Sequence, residues 1–326
     1  MQPVTLSQTS SVSGKAPAVS VIIPAYNVAP FIVEALDSVM AQTFTDFETI
    51  VINDGSPDTE ELERALEPYR DRIVYIKQEN GGAGAARNAG LRAARGELVA
   101  FLDADDAWMP NFLSEQVAFI RSGEGYDLVY ANARLFGEGR KAHGTVMDRD
   151  HSEGPVTFES LIGERCIVNT SSVVARRDPI LEVGLFDESL RNSQDFDLWA
   201  RLAKREGARM NYQKKVLARH RAHEGSLAWD GIKSVEGELK VLEKIGRRPD
   251  LTPSERETLA GTVSLRRASV AVDRGKRRLI EGEFDGAVES FEFANNYYHS
   301  WKLRLVLFWL RIAPRLLQRA YKARAT

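Results

Sequence analysis

The feature that most constrains the fold of this chain is an alternation, over residues 19–130, of short apolar runs with longer amphipathic segments. The short runs are too brief for helices and almost continuously apolar, which is typical of strands buried on both faces of a parallel sheet. The intervening segments carry apolar residues at helical spacing, so the alternation predicts βαβ units with right-handed crossovers. The predicted strands are Val19–Pro24, Phe47–Asn53, Ile73–Lys77, Leu98–Leu102 and Asp127–Tyr130.

The rest of the chain is predicted to hold few strands. A strand over 167–175 and a helix over about 195–206 stand out in its middle part. Residues 231–326 have no strand-like alternation and are predicted to be helical. Residues 1–18 are rich in Ser, Thr, Gln and Pro and lack the apolar stretch of a secretory signal, so a mobile tail is expected. The expected organisation is this tail, an α/β domain over 19–230 and the helical region.

Composition excludes several classes of protein. The 326 residues include 44 Lys and Arg against 46 Asp and Glu, and this net charge of −2 offers no basic field for nucleic acid. Hydrophobic residues make up 43% of the chain, which is typical of a soluble protein with a sizeable core. The single cysteine, Cys166, excludes an internal disulfide and a cysteine metal cluster. It also fits a reducing compartment, so a cytoplasmic location is expected.

Acidic residues follow two of the predicted strands. Asp54 ends the second strand, and the run Asp103-Ala104-Asp105-Asp106 follows the fourth. The carboxyl ends of parallel strands face one crevice, where such sheets bind ligands. Asp103 and Asp105 could hold a divalent cation and orient a ribose or phosphate; the alternative, a helix cap, needs only one acid. Asp54 could accept a hydrogen bond from the imide of a uracil or thymine ring, or it could simply belong to an Asp-Gly-Ser turn.

A glycine-rich segment, Gly82–Arg87, opens the helix that follows the third predicted strand. It resembles half of a dinucleotide-binding fingerprint, and Asp103 lies about 20 residues further on. Arg87, however, stands where that fingerprint needs a third small residue for close packing between helix and strand. We therefore interpret Arg87 as a cation for ligand phosphates; the alternative is a solvated arginine on a helix surface.

Several motifs, in this order, resemble family 2 of the inverting glycosyltransferases, which have the GT-A fold: a Rossmann-like, mostly parallel sheet between helices. The resemblance covers about residues 19–230, and the order of the motifs makes it specific. The motifs are Val19–Asn27, Val51–Ser56, Asn80–Asn88, Gly96–Asp106, Val183–Leu190, Gln194–Trp199 and Arg221–Ser226.

The resemblance implies a role for each matching donor-site residue. Pro24 and Tyr26 would line the nucleoside pocket, and Asp54 would contact the base. Asp103 would contact the ribose, and the adjacent Ala104 would belong to the same nucleotide-sugar site. The metal ligands would be Asp105, which would bind Mg²⁺ or Mn²⁺ across the diphosphate, and His223, which would complete the metal or diphosphate site.

Asp195 matches the catalytic base of the family and would take a proton from the acceptor hydroxyl. The alternative is that Asp195 caps the helix that follows it. The preceding residue is often Glu in relatives and is Gln194 here. This difference changes the local charge and the expected contacts with the acceptor, while the aspartate itself is kept.

The expected function is a metal-dependent, inverting transfer of a sugar from a UDP or dTDP donor to a glycan or lipid-linked acceptor, in cell-surface polysaccharide or lipopolysaccharide assembly. A sugar nucleotidyltransferase is one alternative, but its first loop would be glycine-rich, whereas Ala25–Ala29 has no glycine. A nicotinamide oxidoreductase is disfavoured by Arg87. A non-catalytic scaffold that acts through the helical tail is disfavoured by the intact set of Asp103, Asp105, Asp195 and His223.

The last 26 residues form a separate chemical region. Residues 301–326 contain seven Lys and Arg and no acid, whereas the other 300 residues carry a net charge of −9. At about 100° per residue, five of the basic side chains follow one helical stripe. Aromatic and aliphatic residues occupy much of the remaining surface, and Pro314 is expected to bend the helix about one turn earlier. The helix could lie on an anionic membrane surface, peripheral on its inner face, or pack on the helices at 255–296.

Overall fold

The structure is a computed structural model that describes residues 5–7, 15–122, 125–137, 142–223 and 231–325. The chain divides into two compact units, with the boundary between residues 229 and 230. Within the described ranges, no helix is both long enough and apolar enough to cross a membrane.

The first unit is built on one mixed sheet. In the described part of the chain its nine strands lie in the order β1-β4-β3-β2-β5-β8-β7-β9-β6. The four strands β4, β3, β2 and β5 are parallel neighbours, as predicted, whereas β1, β8 and β6 pair antiparallel. The strands are β1 (Thr5–Ser7), β2 (Val19–Ala25), β3 (Phe47–Asp54), β4 (Val74–Gln78), β5 (Leu98–Phe101), β6 (Ala107–Trp108), β7 (Leu128–Gly137), β8 (Val173–Arg176) and β9 (Met210–Ala222).

Helices cover both faces of this sheet. The helices of the first unit are α1 (Ile32–Met40), α2 (Thr59–Leu66), α3 (Ala83–Ala93), α4 (Phe112–Ile120), α5 (Val146–Arg149), α6 (Phe158–Ile162), α7 (Arg177–Glu182) and α8 (Gln194–Ala203). Two 3₁₀ helices, Glu67–Arg72 and Thr170–Ser172, lie between them.

The alternation of side chains along β2 explains why both faces are apolar. Val21 and Ile23 pack into the cluster that contains α1, while Ile22 packs into the opposite cluster, which contains α3 and α8. Helix α3 approaches the sheet closely at Gly90. A Cβ atom built on this glycine would lie 2.5 Å from Ile22 Cγ2, so a larger residue there would push the helix away from the strand.

Three elements differ from the sequence-based expectation. The predicted strand over 167–175 is a 3₁₀ helix followed by β8. Strand β9 was not predicted, because its exposed and half-buried polar residues hide the alternation of a buried strand. Within the segment predicted to be a tail, Thr5–Ser7 forms a strand, because the edge of β4 offers unpaired backbone groups to an extended segment.

The second unit is helical in its described part. Its helices are α9 (Gly231–Gly246), α10 (Pro253–Glu281), α11 (Phe284–Tyr298), α12 (Trp301–Ile312) and α13 (Pro314–Ala325). Its core contains Leu279, Phe291, Leu307 and Leu310. The bend expected one turn before Pro314 is instead a break at the adjacent Ala313 (φ −142°, ψ 60°), because a residue that precedes proline is disfavoured in the helical region.

Candidate active site

The candidate site begins at three neighbouring strand ends. Strand β2 lies between β3 and β5 and is parallel to both, so the three carboxyl ends share one edge of the sheet. Asp54 is the last residue of β3, Tyr26 follows β2, and Asp103 comes two residues after β5. Pro24 lies within β2 opposite Ile52. This is the edge where open α/β sheets bind ligands, and Tyr26 is 51% exposed.

The buried carboxylate of Asp54 holds the loop that precedes α3. Its Oδ1 accepts hydrogen bonds from Gln78 Nε2 at 2.7 Å and from the N–H of Gly81 at 2.9 Å. Its Oδ2 accepts from the N–H of Gly82 at 2.8 Å. A carboxylate has about four lone-pair sites, so these three contacts leave about one site for a ligand donor. Contact between Asp54 and a base stays a prediction.

The loop after β2 is fixed by a chain of hydrogen bonds that was not predicted from the sequence. Asn27 has a left-handed backbone conformation (φ 55°), and its N–H donates to Ser56 Oγ at 2.6 Å. The Ser56 hydroxyl donates to Asp58, whose Oδ2 accepts from the N–H of Ala29 at 2.8 Å. These bonds hold in place the segment that carries Tyr26.

Arg87 lies inside the site and is buried. Its Nη2 forms an ion pair with Asp103 Oδ1 at 2.5 Å. The central guanidinium carbon, Cζ, lies 5.6 Å from the centroid of the Phe186 ring. Burial alone would lower the pKa of Arg87, but the charges of Asp103, Asp195 and Asp105 outweigh burial and raise it. Arg87 Nε and Nη1 are buried without a hydrogen-bond partner among the described residues. The alternative of a solvated helix arginine is therefore wrong.

Asp105 faces His223 across the edge of the sheet. The short strand β6, which follows the acidic loop, pairs with β9, and this pairing brings the two side chains together. His223 Nε2 lies 2.9 Å from Asp105 Oδ2. Burial, followed by the charges of Asp106 and Asp103, raises the pKa of Asp105 to about 6. The intervening Ala104 is 2% exposed, so it offers a ligand little beyond its backbone.

Asp106 forms a second acid–histidine pair behind the first. Its Oδ2 lies 3.0 Å from His220 Nδ1, and its Oδ1 accepts from the N–H of Arg221 at 2.8 Å. Burial would raise the pKa of Asp106, but the charge and hydrogen bond of His220 outweigh burial and lower it. The charge of Asp106, against the effect of burial, raises the pKa of His220 to about 9. This pair neutralises Asp106 and fixes the end of β9.

The Asp106–His220 pair predicts a pH-dependent contribution to stability. The raised pKa of His220 stabilises the folded state fully below about pH 6.5, its unfolded value, and this contribution is lost as the pH rises through about 9. We expect His220→Gln to lower the free energy of unfolding at pH 6.5 by about 1–2 kcal/mol, a value discounted because His220 is a third exposed. The loss should shrink at pH 10.

Urea unfolding of both proteins at the two pH values measures this effect. The matched control is His151→Gln, an exposed histidine that contacts the backbone oxygen of Met147. A stability loss for His220→Gln that is equal at both pH values would contradict the assignment of an ion pair.

Asp195 lies in the first turn of α8, and its carboxylate is held at both oxygens. Thr170 Oγ1 donates to Oδ2 at 2.8 Å, and the N–H of Phe196 donates to Oδ1 at 2.9 Å. The N-cap of α8 is Ser193, so the alternative that Asp195 caps this helix is wrong. The preceding Gln194 is buried, and its Oε1 has no hydrogen-bond partner among the described residues.

The 3₁₀ turn Thr170–Ser172 connects Asp195 with the acidic loop. Thr170 donates to Asp195, while Ser171 Oγ accepts from the N–H of Asp103 at 3.1 Å. The backbone oxygen of Ser171 accepts from Trp108 Nε1 at 2.7 Å, which anchors the turn in the core. The turn therefore positions two of the predicted site carboxylates at once.

Comparisons with known proteins identify the family of the chain. The sequence profile described as "Glycosyl transferase family 2" matches residues 20–158. An uncharacterized glycosyltransferase of Rickettsia typhi is 31% identical over 239 residues, which cover 70% of this chain and 73% of the relative. The chain belongs to glycosyl transferase family 2. Glycosyltransferase AglE of Haloferax volcanii is 32% identical over 240 residues, covering 71% of this chain and 77% of AglE.

Coverage of other family 2 relatives is smaller. For two further Rickettsia glycosyltransferases, from R. felis and R. conorii, this chain spans about a third (34%) of their length.

Solved structures confirm the GT-A fold for this family 2 member. TarS of Staphylococcus aureus, residues 1–349, has a TM-score of 0.60 at 20% identity and covers 94% of this chain and 91% of its own. The mannosyltransferase PcManGT of Pyrobaculum calidifontis, in complex with GDP-Man and Mn²⁺, has a TM-score of 0.61 at 19% identity, with 94% and 85% coverage. TarS has also been solved with UDP and with UDP-GlcNAc.

The side chains at the acidic loop of this family 2 protein fit a divalent cation only if a bound molecule supplies part of the coordination. Among the residues that the structure describes, no group of three or more His, Cys, Asp or Glu side chains could hold a metal alone. Asp105 and His223 supply a carboxylate and an imidazole, while Asp103 is paired with Arg87 and Asp106 with a histidine. A diphosphate and water would have to complete the coordination, as is usual for Mg²⁺ at nucleotide sites.

Some residues that support the candidate site were not predicted from the sequence. Asp106 was noted only as part of an acidic run, and His220 and Thr170 were not singled out. A signal for His220 was present in the segment Arg219–His223, where a strand interpretation would have placed two histidines near the acidic loop. Thr170 carried no signal, because its partner lies 25 positions away.

Proposed function

We propose that the first unit transfers a glycosyl group from a nucleoside-diphosphate sugar to an acceptor hydroxyl, with inversion at the anomeric carbon. One observation carries the proposal: the turn Thr170–Ser172 contacts Asp195 through Thr170 and the backbone of Asp103 through Ser171, and Asp103 in turn forms an ion pair with the buried Arg87. These contacts support a single site for the predicted donor-binding residues and the predicted base, as a direct displacement requires.

The donor side is assigned from the strand ends. Pro24 and the half-exposed Tyr26 would line the nucleoside pocket, Asp54 would face the base, and Asp103 with Ala104 would contact the ribose. The solved structures support a nucleotide-sugar donor, because TarS binds UDP and UDP-GlcNAc and PcManGT binds GDP-Man. For this chain we propose UDP or dTDP, which present the same imide edge to a carboxylate.

Asp195 is the proposed general base. Its two oxygens are held by Thr170 and the backbone, and each keeps lone-pair capacity for one more donor. The carboxylate accepts the proton of the acceptor hydroxyl as that oxygen bonds to the anomeric carbon. The bond from the anomeric carbon to the diphosphate oxygen breaks in the same step, and one in-line displacement inverts the configuration.

Arg87 is the proposed partner of the departing diphosphate. Its Nε–H and Nη1–H donors are buried and lack partners among the described residues, so a phosphate oxygen would satisfy them. Asp105 and His223 would hold Mg²⁺ or Mn²⁺, which when bound supplies positive charge to the diphosphate.

The proposed acceptor is a glycan or a lipid-linked glycan of the cell envelope, and this part rests on the family resemblance. Incubation with UDP-, dTDP- and GDP-sugars and a lipid-linked acceptor tests it, with NMR of the product reporting the anomeric configuration. A product that retains the donor configuration would contradict the single displacement.

Metal dependence of donor binding is a separate prediction. With Mn²⁺ or Mg²⁺ present, UDP at about 100 times its Kd is expected to stabilise the protein by about 2.7 kcal/mol. EDTA should remove most of this stabilisation, because Asp105 and His223 reach the diphosphate only through the cation. Thermal melting with and without EDTA measures the effect.

With Mn²⁺ present, UDP should stabilise Asp105→Asn as little as it stabilises the parent protein in EDTA. The control is Asp71→Asn, an exposed acid outside the site. Equal stabilisation by UDP with and without metal would remove Asp105 and His223 from their assigned role.

A further inference from the structure

Helices α12 and α13 of the second unit expose an unusual set of large apolar side chains. Their exposed fractions lie between 41% and 64%. On α12 they are three or four positions apart except for the adjacent Phe308 and Trp309, which puts them on one face of the helix. The last lies in the first turn of α13. We call this set the apolar face: Trp301, Leu305, Phe308, Trp309, Ile312 and Leu316.

The apolar face is distinct from the side of α12 that stabilises the unit. Leu307 and Leu310 are buried in the core with Leu279 and Phe291, and Leu303 and Val306 pack against them. The core is therefore supplied by other positions of the same helix. Helix α12 is apolar on two sides, and the described residues of the second unit cover only one of them.

Positive charge accompanies the apolar face. Arg304, Arg311, Arg315 and Arg319 are all exposed, and residues 301–326 contain no acid of their own. Arg311 forms an ion pair with Glu292 of α11. An open groove of about 430 Å³ lies along these groups, lined by Arg304, Leu307, Phe308, Arg311 and Ile312. Its wall is apolar, with guanidinium groups beside it.

We propose that this surface docks on an anionic lipid bilayer. A phospholipid combines a negatively charged headgroup with an apolar chain. The groove and the apolar face offer the complementary groups, guanidinium groups beside exposed apolar side chains. Trp301 and Trp309 have the ring type that is favoured at a membrane–water interface. The helices would lie in the interface plane, with the apolar face in the acyl boundary and the arginines at the headgroups.

Charge favours lipid over a second copy of the chain as the occupant. An isologous dimer through this surface would bring two identical basic patches against each other, whereas an anionic leaflet complements them. Each Lys or Arg near such a surface adds about 1 kcal/mol of attraction. The proposal concerns the second unit alone, so it can fail without any consequence for the glycosyl transfer.

Flotation of the full chain with vesicles tests the proposal, without donor or acceptor. We expect co-flotation at low salt with vesicles that contain phosphatidylglycerol, and little with pure phosphatidylcholine. Point substitutions are preferable to truncation after residue 300, because truncation would remove Leu307 and Leu310 from the core. Arg304→Glu with Arg315→Glu should lower the partition coefficient about tenfold or more, as should Trp301→Ser with Phe308→Ser.

Matched controls carry the same changes elsewhere. Lys240→Glu with Arg247→Glu reverses two exposed charges of the second unit, and Leu181→Ser with Leu265→Ser removes two exposed apolar side chains. Both pairs should leave the partition coefficient within about twofold of the parent. A parent chain that stays with the soluble fraction would overturn the proposal, as would equal binding to phosphatidylcholine. A dimer that the apolar variant dissociates, without flotation, would assign the surface to a second copy instead.

Discussion

Asp195→Asn is expected to lower the turnover of glycosyl transfer by about 10²-fold or more, the scale on which loss of a general base acts. The asparagine side chain has nearly the same shape: its carbonyl oxygen can still accept from the Phe196 N–H, and its amide group can donate to the Thr170 hydroxyl, which reverses its role. The amide cannot take the proton of the acceptor hydroxyl. The affinity for the donor should therefore change little while the chemical step is lost.

Steady-state transfer rates and donor titration, measured on the same preparation, separate these two effects. Asp178→Asn is the matched control, because Asp178 is an acid with a side chain that is 82% exposed. Near-normal transfer by Asp195→Asn would place the base elsewhere. A loss of donor affinity that equals the loss of turnover would make Asp195 part of the donor site instead.

Arg87→Met is expected to have the second large effect. The substitution removes a buried cation and leaves Asp103, Asp105 and Asp195 without their shared counter-charge. Breaking a buried ion pair on one side costs about 3 kcal/mol of stability, towards the lower end of its range here because Asp103 is a third exposed. Donor affinity should fall as well, since the two N–H groups assigned to the diphosphate disappear.

Arg87→Lys separates the two consequences. Lysine keeps the charge but lacks the planar fork of donors, so stability should recover in large part while donor affinity stays low. Arg92→Met is the control on the same helix: Arg92 is mostly exposed and pairs with Glu188 at the surface, so its loss should cost under about 1 kcal/mol. If Arg87→Met unfolds as readily as Arg92→Met, the buried ion pair is not a stabilising element.

The sequence predicted those strands of the sheet whose local hydrophobic pattern decides their structure. Strands β2, β3, β4 and β5 are apolar runs separated by helices, and their parallel orientation follows from this alternation. Strand β9 was missed because its residues, such as Lys214 and Lys215, face solvent or the site rather than the core. Its pairing partner β7 is distant in sequence, so no local sequence pattern indicated that the two strands pair.

The site shows the same division. Asp54, Asp103 and Asp105 were found because they stand at strand ends, where topology alone brings them together. The burial of Arg87 was not predicted, because it depends on Phe186 from a separate segment. The break at Ala313 was placed a turn too early for a different reason: the conformational restriction on the residue before proline outweighed the clash within the preceding turn.

The 3₁₀ turn Thr170–Ser172 has a consequence for how proteins with this arrangement can change in evolution. One short turn holds the acidic loop through Ser171 and the proposed base through Thr170. Substitutions that adapt the site to a different acceptor by moving Asp195 would therefore shift the donor-side loop as well. Mutational effects on the two sides are coupled through shared contacts and are not additive. We therefore expect donor and acceptor preferences in such a scaffold to change together, with a substitution on one side favouring compensation on the other.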